Sequence, residues 1–261
     1  MTCGAHRLWS HRSYKAKLPL QVILMLFQTL TGQYSVYAWV REHRLHHRYS
    51  DTDADPHNAT RGFFFSHIGW LLVKKHPEVS RRGASTYMAD ILSNPVLAFQ
   101  RKYAAILFAL ICFVIPTAIP LFFWGETFNI AWNLNLMRFV LCLNFTSSIN
   151  SAAHAFGNRP YDKELVATQN IPVSLMMLGE GFHNYHHAFP WDYKAGELGE
   201  WFNFSKTFID FFAWIGWAYD LKSVDKKTII NRAMKCGDDS YSWGNQDEAL
   251  MGEKGQPVAT S

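Results

Sequence analysis

The sequence predicts an all-α integral membrane protein, a helical stalk under a histidine-rich cap that faces the cytosol. Composition points to the membrane. Of 261 residues, 49% are hydrophobic and 16% aromatic, with 20 Phe, 11 Tyr and 10 Trp, the residue types of spans and their interfacial belts. Residues 104–124, "AAILFALICFVIPTAIPLFFW", carry no charge and meet the roughly 20 apolar residues that a spanning helix needs. "EHRLHH" at 42–47 and "GEGFHNYHH" at 179–187 repeat histidines at i, i+3 and i+4, which share one helix face. A mean hydropathy of −0.10 adds that a large polar part accompanies the spans.

Taken in order, the chain opens on "HRLWSH", with His6 and His11. Five residues apart, they lie about 140° from each other on an ideal helix and more easily serve two centres than one. No apolar leader precedes them, so targeting is expected from internal segments. Residues 18–40 are apolar but carry regular polar positions. If the motifs on either side of this segment share a site, it returns to the side it left, as an interfacial or re-entrant element. His43, His46 and His47 follow and are expected to point at a common centre, as are His183, His186 and His187. His57, His67 and His76 have no neighbours at ligand spacing and are read as ordinary polar or packing residues.

Residues 104–124 form the first expected crossing, kinked at Pro116 and Pro120. Residues 129–149 form the second, weakened by Arg138 and several asparagines. The link between them has no Lys or Arg, whereas Lys74, Lys75, Arg81, Arg82, Arg101, Lys102, Arg159 and Lys163 flank the pair, so the histidine motifs are expected in the cytosol. "NSAAH" then puts Asn150 and His154 one turn apart at the cytosolic end of the second crossing. Residues 160–180 read as a loop, 206–221 as a short interfacial helix, and 237–261 as a disordered polar tail.

Imidazole is the commonest protein ligand for iron, copper and zinc. With 12 His in the chain, random placement gives roughly 0.02–0.03 such triplets per chain, so two by chance is on the order of one in a few thousand. Nine histidines exceed the four to six ligands of one ion and suit two. Zinc would need fewer, usually closed by Cys or a carboxylate; an all-nitrogen pair suits iron, with copper left open by spacing alone. The four cysteines are scattered and read as free thiols. A net charge of +4 with no basic stripe leaves no nucleic-acid reading.

"GAHRLWSHRSYKAKLPLQ", "VREHRLHHRYSDTDADPHN", "RGFFFSHIGWLLVKKHP", "NSAAHAFGNRPYD" and "GEGFHNYHHAFPWDYKAGELG" resemble the membrane acyl-CoA desaturases of the stearoyl-CoA (delta-9) type, in their animal form. The resemblance runs from Thr2 to about Asp220 and implies a fatty acid desaturase domain over 1–236 in the endoplasmic reticulum membrane. It implies two iron ions, and an O2-dependent insertion of a cis double bond into a fatty acyl-CoA. Electrons would come from cytochrome b5 and its NADH-dependent reductase. By position, His6, His11, His43, His46, His47, His154, His183, His186 and His187 match iron ligands, and Asn150 matches a residue that reaches one iron through water. No catalytic residue beyond the metal ligands is implied. Arg41, Lys75 and the neighbouring Lys74 match the surroundings of the CoA phosphates, although membrane orientation alone would account for Lys74 and Lys75. Trp39 matches a wall of the bent acyl tunnel.

Two departures bear on this. Relatives read "TWLVNSAAH" where this chain has "TSSINSAAH", so Ser147 replaces a tryptophan near the site and chain-length preference is open. Relatives also carry two further crossings before the first motif, so the expectation is an N-terminally truncated domain that holds both irons poorly. A hydroxylase or acetylenase on the same scaffold, or a non-catalytic homologue, are the alternatives.

Overall fold

The computed structural model describes residues 1–197 and 203–242. Over these the chain is mostly helical, with one two-stranded antiparallel ribbon, Lys15–Ala16 (β1) against Ala218–Tyr219 (β2). Helix α1, Leu18–Thr31, starts with a proline in its first turn and stops at Gly32, whose φ of 69° is left-handed. A Cβ on Gly32 would lie 2.6 Å from the Phe139 ring, so only glycine allows this close turn.

The chain reverses there and enters α2, Val36–Tyr49, whose N-terminal cap Ser35 accepts the Ala38 N–H. At 14 residues, α1 is about 21 Å long, short of the roughly 30 Å hydrocarbon core. It buries Leu20, Leu24 and Met25 and exposes Leu18, Val22, Leu26 and Phe27. This two-faced hairpin returns on itself, so the second histidine motif comes back to the first.

Helix α3, Ala104–Phe123, is the one described helix that is long and apolar enough to cross a membrane, at a mean hydropathy of 2.6. Helix α4, Phe128–Ala155, contains the other expected crossing, and its 28 residues reach about 42 Å. Two of its polar residues, Asn135 and Arg138, face inward and join it to its neighbours, whereas Asn129, Asn133 and Asn144 are exposed. Pro116 has no N–H to offer the carbonyl four residues back, and the α3 backbone widens to a π-helix over Phe108–Val114. The Cys112 carbonyl so freed accepts from Arg138 Nη2 (2.8 Å) and Asn135 Nδ2 (3.2 Å). Arg138 Nη1 also donates to the Leu30 carbonyl at the end of α1 (3.0 Å), where a helix terminus leaves acceptors free.

Two expectations are corrected. The segment 160–180 is not all loop: Asn170 caps a short helix, Ile171–Met176, which Pro172 starts rather than breaks. The interfacial helix ends earlier than 221. It is α6, Phe204–Trp214, after which the chain turns into β2 because Lys17 N–H and the Trp217 carbonyl tie it to β1. Of the expected tail, residues 238–242 hold contacts: Asp238 accepts the Arg159 N–H (2.6 Å) and Tyr241 donates to Glu197 (2.9 Å). The rest, 243–261, lies outside the described residues. The main core gathers α1, α2 and α6 around Leu20, Leu24, Val36, Val40 and Ile209, under the first histidine motif.

Candidate metal centre

The first motif is π-helical. Thr2–Ser10 forms a π-helix, and the His11 N–H bonds to the His6 carbonyl at 3.2 Å. That i→i+5 pattern stacks residues five apart. His6 and His11, expected to diverge, therefore face one centre, with ring centroids 5.0 Å apart.

The two H-x-x-H-H motifs do the opposite. Each was expected to converge on one point, but at about 100° per residue the adjacent third and fourth positions splay apart. His43 and His47 of α2 join His6, His11 and His186, whereas His46 joins His154, His183 and His187. On α5, His183–Ala188, the roles are exchanged: His183 and His187 go to the second group and His186 to the first. The nine histidines thus form interleaved groups of five and four, and the ligating atoms of each lie within 4.8 Å of one another.

Both groups have the geometry of a ligand shell. Nε2 atoms meet at 2.8 Å (His11, His43), 2.9 Å (His6, His186), 3.0 Å (His47, His186), 3.0 Å (His154, His183), 3.1 Å (His183, His187) and 3.3 Å (His46, His187). Nitrogens bound at about 2.1 Å to one ion are spaced by about 3.0–3.4 Å. The Nε2 of His183 faces those of both His154 and His187, and one proton cannot serve both contacts; a central cation satisfies both. Burial first, then neighbouring imidazoles, holds His11, His43, His47, His183, His186 and His187 well below the usual histidine range. That keeps them neutral, the form a metal requires. His46 departs from this: burial opposes its protonation, but the Asp55 carboxylate outweighs it and raises the pKa.

Three carboxylates complete the arrangement, and none was singled out from the sequence. Glu180 lies 3.1 Å from His6 Nδ1, Asp55 2.8 Å from His46 Nδ1 and Asp51 3.1 Å from His154 Nδ1. Each fixes its imidazole tautomer so that Nε2 turns its lone pair inward. The available signal was their place in "DTDADPH" and "GEGFH", directly beside the motifs. His57 also differs from its expected role. Its ring centroid is 4.3 Å from that of His46, its Nδ1 is 3.6 Å from Asp55, and burial drives its pKa down to about 3. His46, Asp55 and His57 form a further group of ligand-type atoms. His67 instead bonds Ser151 (2.8 Å), and His76 caps the helix Pro77–Ala84 by accepting the Glu78 N–H (3.3 Å).

A cavity of about 270 Å³ opens beside the groups, lined by Trp39, His43, His57, Phe139, Ser147 and Asn150 among others. Trp39 stacks on His43, with centroids 4.7 Å apart and planes 20° apart. Ser147 is buried on α4, and Asn150 also faces the space between the groups, with His46 and His183. At the outer side, Lys75 is ion-paired to Glu42, and Arg41 lies 3.9 Å from the same carboxylate. Burial, then Arg41, pulls the Lys75 pKa down to about 8. Lys74 is exposed.

Residues 1–205 match the family described as "Fatty acid desaturase". The chain is 57% identical to an acyl-CoA Delta(11) desaturase of Spodoptera littoralis, across 98% of this chain and 77% of that protein. It is 55% identical to an acyl-CoA Delta-9 desaturase of Acheta domesticus (95% and 70%) and 51% identical to a stearoyl-CoA desaturase of Homo sapiens (94% and 68%). The histidine groups and the apolar cavity beside them, with these identities over nearly the whole chain, make one assignment: the chain belongs to the membrane-bound fatty acid desaturase family.

Proposed function

We propose that the protein is an O2-dependent acyl-CoA desaturase that inserts a cis double bond at the delta-9 or a nearby position, within one domain spanning 1–236. The observation that carries this is the pair of interleaved all-histidine groups beside an apolar cavity. His6, His11, His43, His47 and His186 would hold one iron, and His46, His154, His183 and His187 the other, with Asn150 reaching the second through water. Iron held there supplies O2 activation, so that two hydrogens leave adjacent methylenes and O2, with two electrons and two protons, ends as two waters. Cytochrome b5 and its NADH-dependent reductase are the proposed electron source.

The chain's own residues do the rest. Trp39, Phe139 and Leu143 exclude water and confine the acyl chain, while Trp39, packed on His43, keeps it against the metal side. Glu180, Asp51 and Asp55 hold the imidazole tautomers. We place the site on the cytosolic face of the endoplasmic reticulum, with α3 and α4 both crossing, since residues 124–127 between them carry no Lys or Arg. Expression in desaturase-deficient yeast tests the function. Monounsaturated fatty acids should appear, and they should vanish on removing a histidine of either group. Hydroxylated products, or no new products, would overturn the reading.

Arg41 and Lys75 are proposed to meet the CoA phosphates, displacing Glu42 from Lys75. Arg41→Glu or Lys75→Glu should then raise the KM for acyl-CoA by about tenfold, the loss of one charge-assisted contact, with iron content unchanged. An unaltered KM would leave them, with Lys74, as determinants of membrane orientation. Ser147 is small and lines the cavity. Ser147→Trp should shorten the accepted acyl chains, read as a shift in product lengths; an identical product profile would place position 147 outside the acyl path.

A further inference from the structure

The two histidine groups differ in the charge behind them. In the group of five, the carboxylate on His6 is Glu180, and Glu180 is held by the guanidinium of Arg7, Nη2 to Oε1 at 2.5 Å. Arg7 is buried to 1% exposure and anchored further by the Tyr193 carbonyl (2.7 Å) and Asn203 (3.3 Å). One negative and one positive charge therefore cancel directly behind that group. In the group of four, Asp55 backs His46 and Asp51 backs His154. Their other oxygen contacts are backbone N–H groups, those of Asp51 and His57 for Asp55 and that of Ala59 for Asp51, together with the His57 ring, whose Nδ1 lies 3.6 Å from Asp55. Among the described residues no Lys or Arg pairs with either aspartate.

We propose that Arg7, Asp51 and Asp55 make the two metal positions unequal: the four-histidine position stabilises the more highly charged, ferric ion, and the five-histidine position the ferrous ion. Two uncompensated anions next to ligating imidazoles raise their basicity and favour positive charge at the metal. Arg7 removes that benefit from His6 by neutralising Glu180. The environment is buried, so fixed charges act strongly there. Arg7 is in this sense a positioning residue, acting on the metal through Glu180 and His6. An ordered pair, with one ion easier to oxidise than the other, gives electrons arriving one at a time a defined first destination, the five-histidine ion.

This rests on the two-iron reading above, and the experiment separates the two. The full chain, iron-loaded in detergent, is titrated potentiometrically and followed by Mössbauer spectroscopy, which reads each iron without turnover. Failure to bind two irons would overturn the two-iron reading and this inference with it. With two bound, the expected result is two midpoints separated by at least a tenfold difference in the ferric to ferrous ratio, 59 mV for one electron. Asp51→Asn keeps an acceptor for His154 but removes the charge, and should raise the lower midpoint by a similar factor while moving the higher one less. Arg7→Gln should lower the higher midpoint, and Arg7→Lys should restore it. Should Arg7→Gln fail to fold, the Asp51→Asn result decides. Coincident midpoints, or Asp51→Asn acting mainly on the higher midpoint or on neither, would overturn the inference while leaving the desaturase reading intact.

Discussion

His46→Ala is expected to abolish desaturation and to strip the four-histidine group of its ion, while His76→Ala leaves iron content and turnover near wild type. His46 is 2% exposed, turns Nε2 toward His187 at 3.3 Å, and is held from behind by Asp55 at 2.8 Å. Alanine removes one of four nitrogens, and the neighbouring imidazoles are already committed to the two groups. Loss of a mere outer partner of a metal ligand costs about 10–100-fold in affinity or activity, so loss of the ligand itself should exceed 100-fold. His57→Ala should fall between the two variants. It removes a ring from beside Asp55 but leaves the Asp55 bond to His46, so iron should be retained with weaker turnover. Iron per chain, measured after purification, and the yeast fatty acid profile read all three. Equal iron in His46→Ala and His76→Ala would remove His46 from the ligand set.

The histidines were legible because imidazole is rare and its spacing is local. His43, His46 and His47 sit within five residues, and a helix face can be inferred from that alone. How the ligands divide between two centres was not legible, because it depends on what faces each helix. Helix α5 packs opposite α2 so that each i+3 histidine crosses to the other group. The π-helix at Thr2–Ser10 was equally hidden. Nothing in "TCGAHRLWS" distinguishes an i+5 from an i+4 ladder, and the α-helical angle separated two histidines that the fold brings together. The carboxylates behind the ligands were visible as letters in "DTDADPH", but nothing local marks them as partners of particular histidines. Only tertiary structure shows Asp51 reaching His154, 103 residues away. Of the stalk, the uncharged run 104–124 was plain, whereas Arg138 and Asn135 of α4 looked like a weakness and proved to be its attachment to α1 and α3.

That attachment gives the second large effect. Arg138→Leu should lower the melting temperature in detergent by roughly 6–12 °C, from a loss of about 3 kcal/mol in a chain of this size. From α4, Arg138 reaches three elements at once: Asn135 Oδ1 on its own helix (2.9 Å), the Cys112 carbonyl freed by Pro116 in α3 (2.8 Å) and the Leu30 carbonyl at the end of α1 (3.0 Å). Leucine fills the volume but bonds none of them, and a carbonyl left bare in an apolar setting carries the desolvation cost of its lost partner. Arg138→Lys can restore one of the contacts, though not the planar fork that spans two carbonyls, and should recover only part of the loss. The consequence extends to the site. The end of α1 is also the start of the turn that delivers α2, and Gly32 in that turn sits against both Phe139 and Cys112. Freed from Arg138, the α1–α2 hairpin loses its fixed height against α3 and α4, and with it the placement of His43, His46 and His47 against His154 on α4. Ligand geometry tolerates only about half an ångström of such drift, so iron content should fall along with the melting temperature. A melting temperature within 2 °C of wild type, on the order of 1 kcal/mol or less, would show that these carbonyls find other donors and that Arg138 is not the joint between the stalk and the histidine hairpin.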